Sequence, residues 1–499
     1  MRVAKRLTLG TAATLLALTA AQAADLPVKA KPIEYVRVCS LYGAGFYYIP
    51  GTDTCIRIGG AIRLDTAFNA APGYDTPFWR GTAGGANAYN RSYFSSYDRF
   101  NLFIDTRTAT DYGVVRTYAN LELDFGVGRD NIAGGFIATD WAFIQFAGFT
   151  FGKAVSMFDP QWALAKPWIT SGTNAGSNDA TGIPMLAYTA SFGNGGSATI
   201  ALEDAQPYRS AGVINASQPL LGPFGAATVG YGTTANTFLG NVQTGDHVPD
   251  VVANLRLDQA WGSLHLAAAA HEVHGTYYTP ASSDTGHPDA TWGFAVTGAF
   301  ELKDLPTGVG DSLKVEATFA NGAAKYVFGG TSDNAGGGRY AKVGSGTSMA
   351  FGYVLDGLYA GSSAAGGSQI LKSNAWEVSA FYEHYWNPAW RTSVFGNYSY
   401  ISYGARGDAL LLGAPLSTGT LNATGSFALG LTQIGTRTAW TPVKNLTLSA
   451  EFVYSHMDQH LNGIFTANAG SVPGYGTATS FILRDQNLYN GAVQILRSF

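Results

Sequence analysis

"DRFNLFIDTRTATDYGVVRTYANLELDF", from Asp98 to Phe125, alternates polar and apolar side chains on both sides of a turn-like ATDYG. In its first half Phe100, Leu102 and Ile104 fall on one face, with Arg99, Asn101, Asp105 and Arg107 opposite. In its second half Thr117, Ala119, Leu121, Leu123 and Phe125 oppose Arg116, Asn120, Glu122 and Asp124. A period of two is the signature of a strand, because successive side chains point to opposite faces. The stretch therefore reads as a hairpin with one apolar and one strongly charged face.

The pattern recurs along the chain. In "CIRIGGAIRLDTAF" (Cys55 to Phe68), Ile56, Ile58, Ile62, Leu64 and Phe68 face one way and Arg57, Arg63 and Asp65 the other. The same alternation marks Val251 to Gln259, Trp292 to Leu302, Leu313 to Phe319, Trp376 to Tyr382, Trp390 to Tyr400 and Leu446 to Tyr454. "SFALGLTQIGTRTAW" (Ser426 to Trp440) alternates poorly and is assigned as a strand because its neighbours need a partner. Short connections (at Ala147-Gly148, Asn194, Ala260, Asn387 and Thr441) are interspersed with long Gly/Ser/Asn-rich ones. The long ones are Asn69 to Ser96, Met157 to Gly182, Ala205 to Gly245, Asn321 to Gln369 and Gly404 to Thr424. Tight turns on one side and long loops on the other are typical of transmembrane antiparallel β-barrels. Counting hairpins gives about 16 strands, a number associated with an aqueous interior.

Composition supports the membrane reading. Charged residues are only 13% of the chain, against roughly 25% in soluble proteins. Gly (63), Trp (10), Tyr (27) and Phe (28) take their place. "MRVAKRLTLGTAATLLALTAAQA" has a basic start, a short apolar run and an Ala21-Gln22-Ala23 site, which together describe a secretory signal peptide over residues 1–23. No later apolar run approaches the ~18 residues of a membrane helix, and a closed sheet is the other structure whose backbone a bilayer tolerates. A soluble β-sandwich would not need apolar faces pointing away from its own interior. Trp292, Trp376, Trp390 and Trp440 lie at strand ends, where interfacial aromatic girdles belong. The expected organisation is a signal peptide (1–23), a periplasmic N-terminal segment (24–55) and an outer-membrane barrel (56–499). The mildly acidic charge, −4 for the whole chain, argues against nucleic acid as a partner.

Few residues suggest reactive chemistry. Cys39 and Cys55 are the only cysteines, and an exported chain is expected to join them in a disulfide. His265, His271 and His274 tempt a metal reading, but strand geometry separates the first two by about 20 Å and turns the third away. Arg406 to Asp408 spell RGD, a three-residue match in a glycine-rich loop. No nucleophile elbow or phosphate loop is present, so neither catalysis nor a cofactor is expected.

"VCSLYGAGFYYIPGTDTCIRIGGAIR" (Val38 to Arg63) and "DWAFIQFAGFTFGK" (Asp140 to Lys153) resemble the alphaproteobacterial porin family, over the chain from Asp25 to Phe499. The resemblance implies a trimeric diffusion channel whose third external loop, here Met157 to Gly182, folds back into the interior. It makes Phe499 an assembly signal, the terminal aromatic residue read by the barrel assembly machinery. It also puts Lys153 near the narrowing, with Asp159, Lys166 and Asp179 on the loop.

Strand parity supplies the remaining site residues. Arg57, Arg63, Arg99, Arg107 and Arg116 point inward on the early strands. Asp250, Asp258, Glu301, Glu316, Glu377, Glu383 and Glu451 do so on later ones. A basic wall facing an acidic one would set up a transverse field that filters ions. The expected function is passive diffusion of small hydrophilic solutes and ions by a homotrimer seated among outer-membrane lipids and lipopolysaccharide. A substrate-specific channel would need a ladder of stacked aromatics or an Arg/Lys track, and Phe103, Tyr118, Phe381 and Phe395 are inward candidates that form no evident ladder. An adhesin would place its function in the long loops.

Overall fold

The computed structural model describes residues 37–69, 93–126, 136–169, 182–204, 211–220, 222–224, 247–279, 282–328 and 339–499. The expected signal peptide at residues 1–23 lies outside them. The chain divides into two compact units, Met1–Cys55 and Ile56–Phe499.

The first unit is small. A 3₁₀ turn at Ser40–Tyr42 and a two-residue strand at Tyr47–Tyr48 surround the Cys39–Cys55 disulfide. Cys39, Phe46 and Cys55 are fully buried, with Tyr42 and Tyr48 packed against them. So few apolar side chains make a weak core, and a covalent staple is the usual remedy.

The second unit is a closed antiparallel barrel of sixteen strands. In chain order they are β1 (Thr54–Phe68), β2 (Phe94–Thr110), β3 (Gly113–Gly126), β4 (Phe136–Phe146), β5 (Phe149–Ala154), β6 (Ile183–Gly193), β7 (Gly196–Glu203) and β8 (Asp250–Gln259). There follow β9 (Gly262–Val273), β10 (Thr291–Lys303), β11 (Ser312–Asn321), β12 (Asn374–Asn387), β13 (Trp390–Ser402), β14 (Gly419–Val443), β15 (Leu446–Ala467) and β16 (Gln486–Ser498). Each pairs with its sequence neighbours, and β16 returns to β1, with Ala61 opposite Ser498 and Phe68 opposite Gly491. Closure leaves no edge, so every ladder group finds a partner without water.

Burial follows the alternation but inverts a soluble protein. On β1, Ile58, Ile62, Leu64 and Phe68 stand exposed on the outside, while Arg63 and Asp65 are buried. Trp292, Trp376, Trp390 and Trp440 are also exposed outward, the last two stacked at 5.6 Å. Asp105, Glu122, Asp124, Glu316 and Glu377 are among the buried charges.

The long connections are not featureless. Gly404–Gly413, expected to be loop, is an α-helix, and β14 begins at Gly419 inside the same expected loop. Short strands at Gly212–Asn215, Leu355–Tyr359 and Leu371–Lys372 form a separate three-stranded sheet. Leu220, Tyr340, Phe351, Leu358 and Leu411 from these connections share one apolar core with Leu429 and Phe465 of β14 and β15. The connections thus pack a hydrophobic core that runs on into barrel strands, with Ala187, Val252 and Ala295 among its members.

Candidate functional site

The arginines of the early strands meet at Asp105. Arg107 and Arg116 are direct cross-strand partners, and like charges in that position repel. Asp105, two residues from Arg107 on the same face, resolves the conflict. Its carboxylate accepts from Arg107 Nη2 at 3.1 Å and from Arg116 Nε and Nη2 at 3.1 Å each. Arg57 of β1 approaches the same oxygen at 4.0 Å. Arg116 also donates to Gln145 at 3.0 Å.

The other arginines are tied to acids nearby. Arg99 donates to its cross-strand partner Asp124 at 2.8 Å and also pairs with Glu122. Arg63 donates to Asp65 at 2.5 Å and to the Ile169 carbonyl at 2.7 Å. Lys153 donates to the Thr139 carbonyl at 2.5 Å. Asp159 is half-buried in the segment after β5, and Asp179 lies outside the described residues. The structure therefore brings Arg57, Arg107 and Arg116 together at Asp105, while Arg63, Arg99 and Lys153 bond to other groups.

Among the described residues, the segment after β5 makes hydrogen bonds to side chains of eight strands, including Glu203 of β7, which accepts the Met157 amide at 2.7 Å, and Arg437 of β14, which reaches the Trp168 carbonyl at 3.4 Å. The Met157 carbonyl accepts from Asn254 (β8) at 2.6 Å, and the Phe158 carbonyl lies 2.9 Å from Nε2 of His265 (β9). The Ala165 carbonyl accepts from Lys314 (β11) at 3.1 Å and the Pro167 carbonyl from Ser393 (β13) at 2.7 Å. Ile169 donates its amide to Glu451 (β15) at 2.5 Å and accepts from Arg63 (β1). Trp162 and Trp168 pack edge-on against Phe381, and Trp168 also meets Phe395. Buried Lys166 lies over the Trp168 ring at 5.0 Å.

The later wall holds the expected acids together with cations that strand parity did not bring out. Lys314 lies 3.5 Å from Glu301, and Arg391 and Arg437 flank Glu383 at 3.1 and 3.2 Å. Arg437 sits in the poorly alternating segment, which hid its direction. Asp250 bonds His271 at 2.7 Å and Lys325 at 2.7 Å, and Asp356 faces the other nitrogen of His271 at 3.5 Å. Lys325 and Asp356 belong to the connection between β11 and β12 and carry no periodic signal. A buried acid inside the apolar run VLDGLY is the one hint the sequence offers. His274 meets the ring of His247 instead, at 4.0 Å. Among the described residues no group of three or more His, Cys, Asp or Glu is arranged to hold a metal.

Strand parity listed Phe103 and Tyr118 as inward aromatics but did not bring out Phe143. Its ring lies beside Tyr118, which in turn lies beside Phe103.

Comparison with known proteins agrees with this architecture. A family model described as "Porin subfamily" matches residues 25–490. Porin Omp2b of Brucella canis is 31% identical over 281 residues, covering 54% of this chain and 66% of its own length. Porin Omp2b of Brucella abortus (strain 2308) is 30% identical over 281 residues with the same coverage. The chain thus spans just under two thirds of the curated relatives it matches. The outer membrane channel DcaP of Acinetobacter baumannii has a similar fold, with a TM-score of 0.58 at 14% identity, covering 91% of this chain and 99% of its own. Because the family model runs from the start of the expected mature chain into the final strand, the protein belongs to the porin subfamily.

Proposed function

We propose that the barrel is a water-filled channel through the outer membrane, passing small hydrophilic solutes and ions by passive diffusion without turnover. The observation that carries this reading is the inverted barrel: an apolar exterior around an interior wall of paired charges. Such a wall would be of no use in a filled core, whereas ions in a low-dielectric frame are steered by it. The residues proposed to line the narrow part are Arg57, Arg63, Arg99, Arg107, Arg116, Lys153 and Asp159. The hydrogen bonds made by residues 157–169 support a third loop folded into the interior as the constriction.

The apolar outer faces of the early strands support association into a homotrimer, in contact with outer-membrane lipid and lipopolysaccharide. Phe499 is proposed as the end read by the assembly machinery. Adhesion has less support. Asp408 of the RGD triplet sits in the Gly404–Gly413 helix and accepts the Phe427 amide at 2.8 Å, so it is engaged inside the fold.

Single-channel recording in KCl tests the reading. Ohmic steps arriving in threes are the expected result, and a folded protein that never conducts would refute it.

A further inference from the structure

Three near-parallel rings line one arc of the inner wall. Phe103 on β2, Tyr118 on β3 and Phe143 on β4 follow one another, with centroids 6.1 and 5.3 Å apart and planes within 20° and 22°. Tyr118 and Phe143 are direct cross-strand partners. Phe103 is two residues from Asp105, which pairs with Tyr118 across the strands. Gly59 on β1 leaves room for the strip: a methyl there would collide with the Phe103 ring. The three rings are each half-buried on the inward-facing side of their strands, so part of each is open to the interior.

Guanidinium groups border this strip. Arg57 lies 5.3 Å from the Phe103 centroid, and Arg116 lies 5.3 and 5.4 Å from those of Tyr118 and Phe143. Arg57, Arg107 and Arg116 converge on Asp105, whose side chain is 0% exposed while theirs are 39%, 27% and 28% exposed. The arc therefore presents aromatic rings and positive charge to the interior, with the counter-charge beneath.

A ligand ring on such a strip gains offset aromatic contact beyond its buried area. A carboxylate attached to that ring meets guanidinium donors in the planar geometry they favour. An aliphatic anion would use only the charge, and an aromatic cation would be repelled by it. We propose that the arc formed by β1 to β4 holds a binding subsite for small aromatic carboxylates. The subsite rests on the channel reading, since a solute must enter the interior to meet the strip.

Planar-bilayer recording in KCl tests it with sodium benzoate as probe. Cyclohexanecarboxylate supplies the same charge without a π face, and benzylammonium supplies the ring with the opposite charge. Benzoate is expected to reduce the current saturably, half-blocking at a concentration roughly threefold lower than cyclohexanecarboxylate. Benzylammonium is expected not to block over that range. In Tyr118→Leu the benzoate-to-cyclohexanecarboxylate ratio should fall to about one, and Phe103→Leu provides the same reading if the first variant assembles poorly. Ohmic KCl steps with the two anions equivalent, or a ratio that survives both substitutions, would overturn the subsite and leave the channel standing. The absence of KCl steps would sink the channel reading and the subsite with it.

Discussion

Gly60 and Phe499 exchange both of their backbone hydrogen bonds, Gly60 N–H to the Phe499 carbonyl at 3.1 Å and Phe499 N–H to the Gly60 carbonyl at 3.0 Å. This is the last rung of the seam between β1 and β16. The Phe499 ring then stacks on Phe100 of β2 at 6.4 Å. The final residue is thus held by two strands, and one of its contacts depends on a missing side chain. A methyl at Gly60 would lie 2.9 Å from the Phe499 ring and would clash with the Asn101 carbonyl.

Gly60→Ala is therefore expected to weaken closure. Overpacking of this kind costs about 1–3 kcal/mol. The heat-modifiability midpoint of the refolded protein on gels should drop, and an unchanged midpoint would show that the seam can shift to admit the methyl. Ile62→Ala, on the lipid face of the same strand, serves as the control for general loss of strand propensity.

The disulfide should stabilise the N-terminal unit measurably. Cys39 and Cys55 are 16 positions apart, and closing a loop of that size contributes about 3 kcal/mol in the chain-entropy model. Non-reducing peptide mapping should find the two joined. In a double Cys→Ser variant, limited proteolysis should cut between residues 39 and 55 at protease levels that leave the parent intact. Equal resistance of the two proteins would argue that the surrounding packing suffices alone.

One turn draws stability from an ionised carboxylate, and acid should remove that contribution. Asp311, between β10 and β11, is fully buried, which works to raise its pKa. Hydrogen bonds from Thr307 at 2.6 Å, His384 at 2.7 Å, the Tyr385 amide at 2.8 Å and Tyr382 at 3.1 Å outweigh that burial. They hold the carboxyl well below its usual range. A depressed carboxylate contributes stability that is fully present above its unfolded pKa, near 3.9, and that is lost as pH falls toward the folded value. Asp311→Asn should therefore lower thermal stability at neutral pH. The gap from the parent should narrow progressively below about pH 4. A gap independent of pH would mean that the carboxylate charge is not what the turn uses.

The barrel could be read from sequence because a bilayer imposes a strict rule on each strand. Phe100, Leu102 and Ile104 must face lipid, so the alternation is written plainly. Where strands pass beyond the bilayer the rule lapses. Gly419 to Thr424 of β14 show no lipid-facing alternation and read as loop, although they pair with β15 from Ala467 to Asn462. The Gly404–Gly413 helix is similarly silent, since its Leu411 packs into the core that the connections build rather than toward lipid. For the site, parity placed Arg57, Arg107 and Arg116 on the inner wall. That they share Asp105 depends on cross-strand register, which composition does not specify. The Ile169 carbonyl that receives Arg63 has no side-chain signature at all.

Arg63 offers the sharpest test of the interior. It sits near the middle of β1, buried, with its guanidinium held between Asp65 and the Ile169 carbonyl. Replacing it by Gln removes one positive charge and leaves the Asp65 carboxylate uncompensated, so the pair goes from neutral to one net negative charge and the local change favours cations. Stranding a buried carboxylate in this way costs about 3–5 kcal/mol, so assembly must be confirmed first by intact conductance steps. In low salt the reversal potential across a KCl gradient should shift toward cation selectivity. The shift should shrink toward ~1 M salt, where screening reaches only about 3 Å. It should exceed that of Arg406→Gln, because Arg406 is exposed on the Gly404–Gly413 helix. Arg63→Gln combined with Asp65→Asn removes both charges and should restore most of the parent's potential. If the single variant leaves the low-salt reversal potential unchanged, ions do not pass close to Arg63, and the narrow part of the channel must lie elsewhere along the wall.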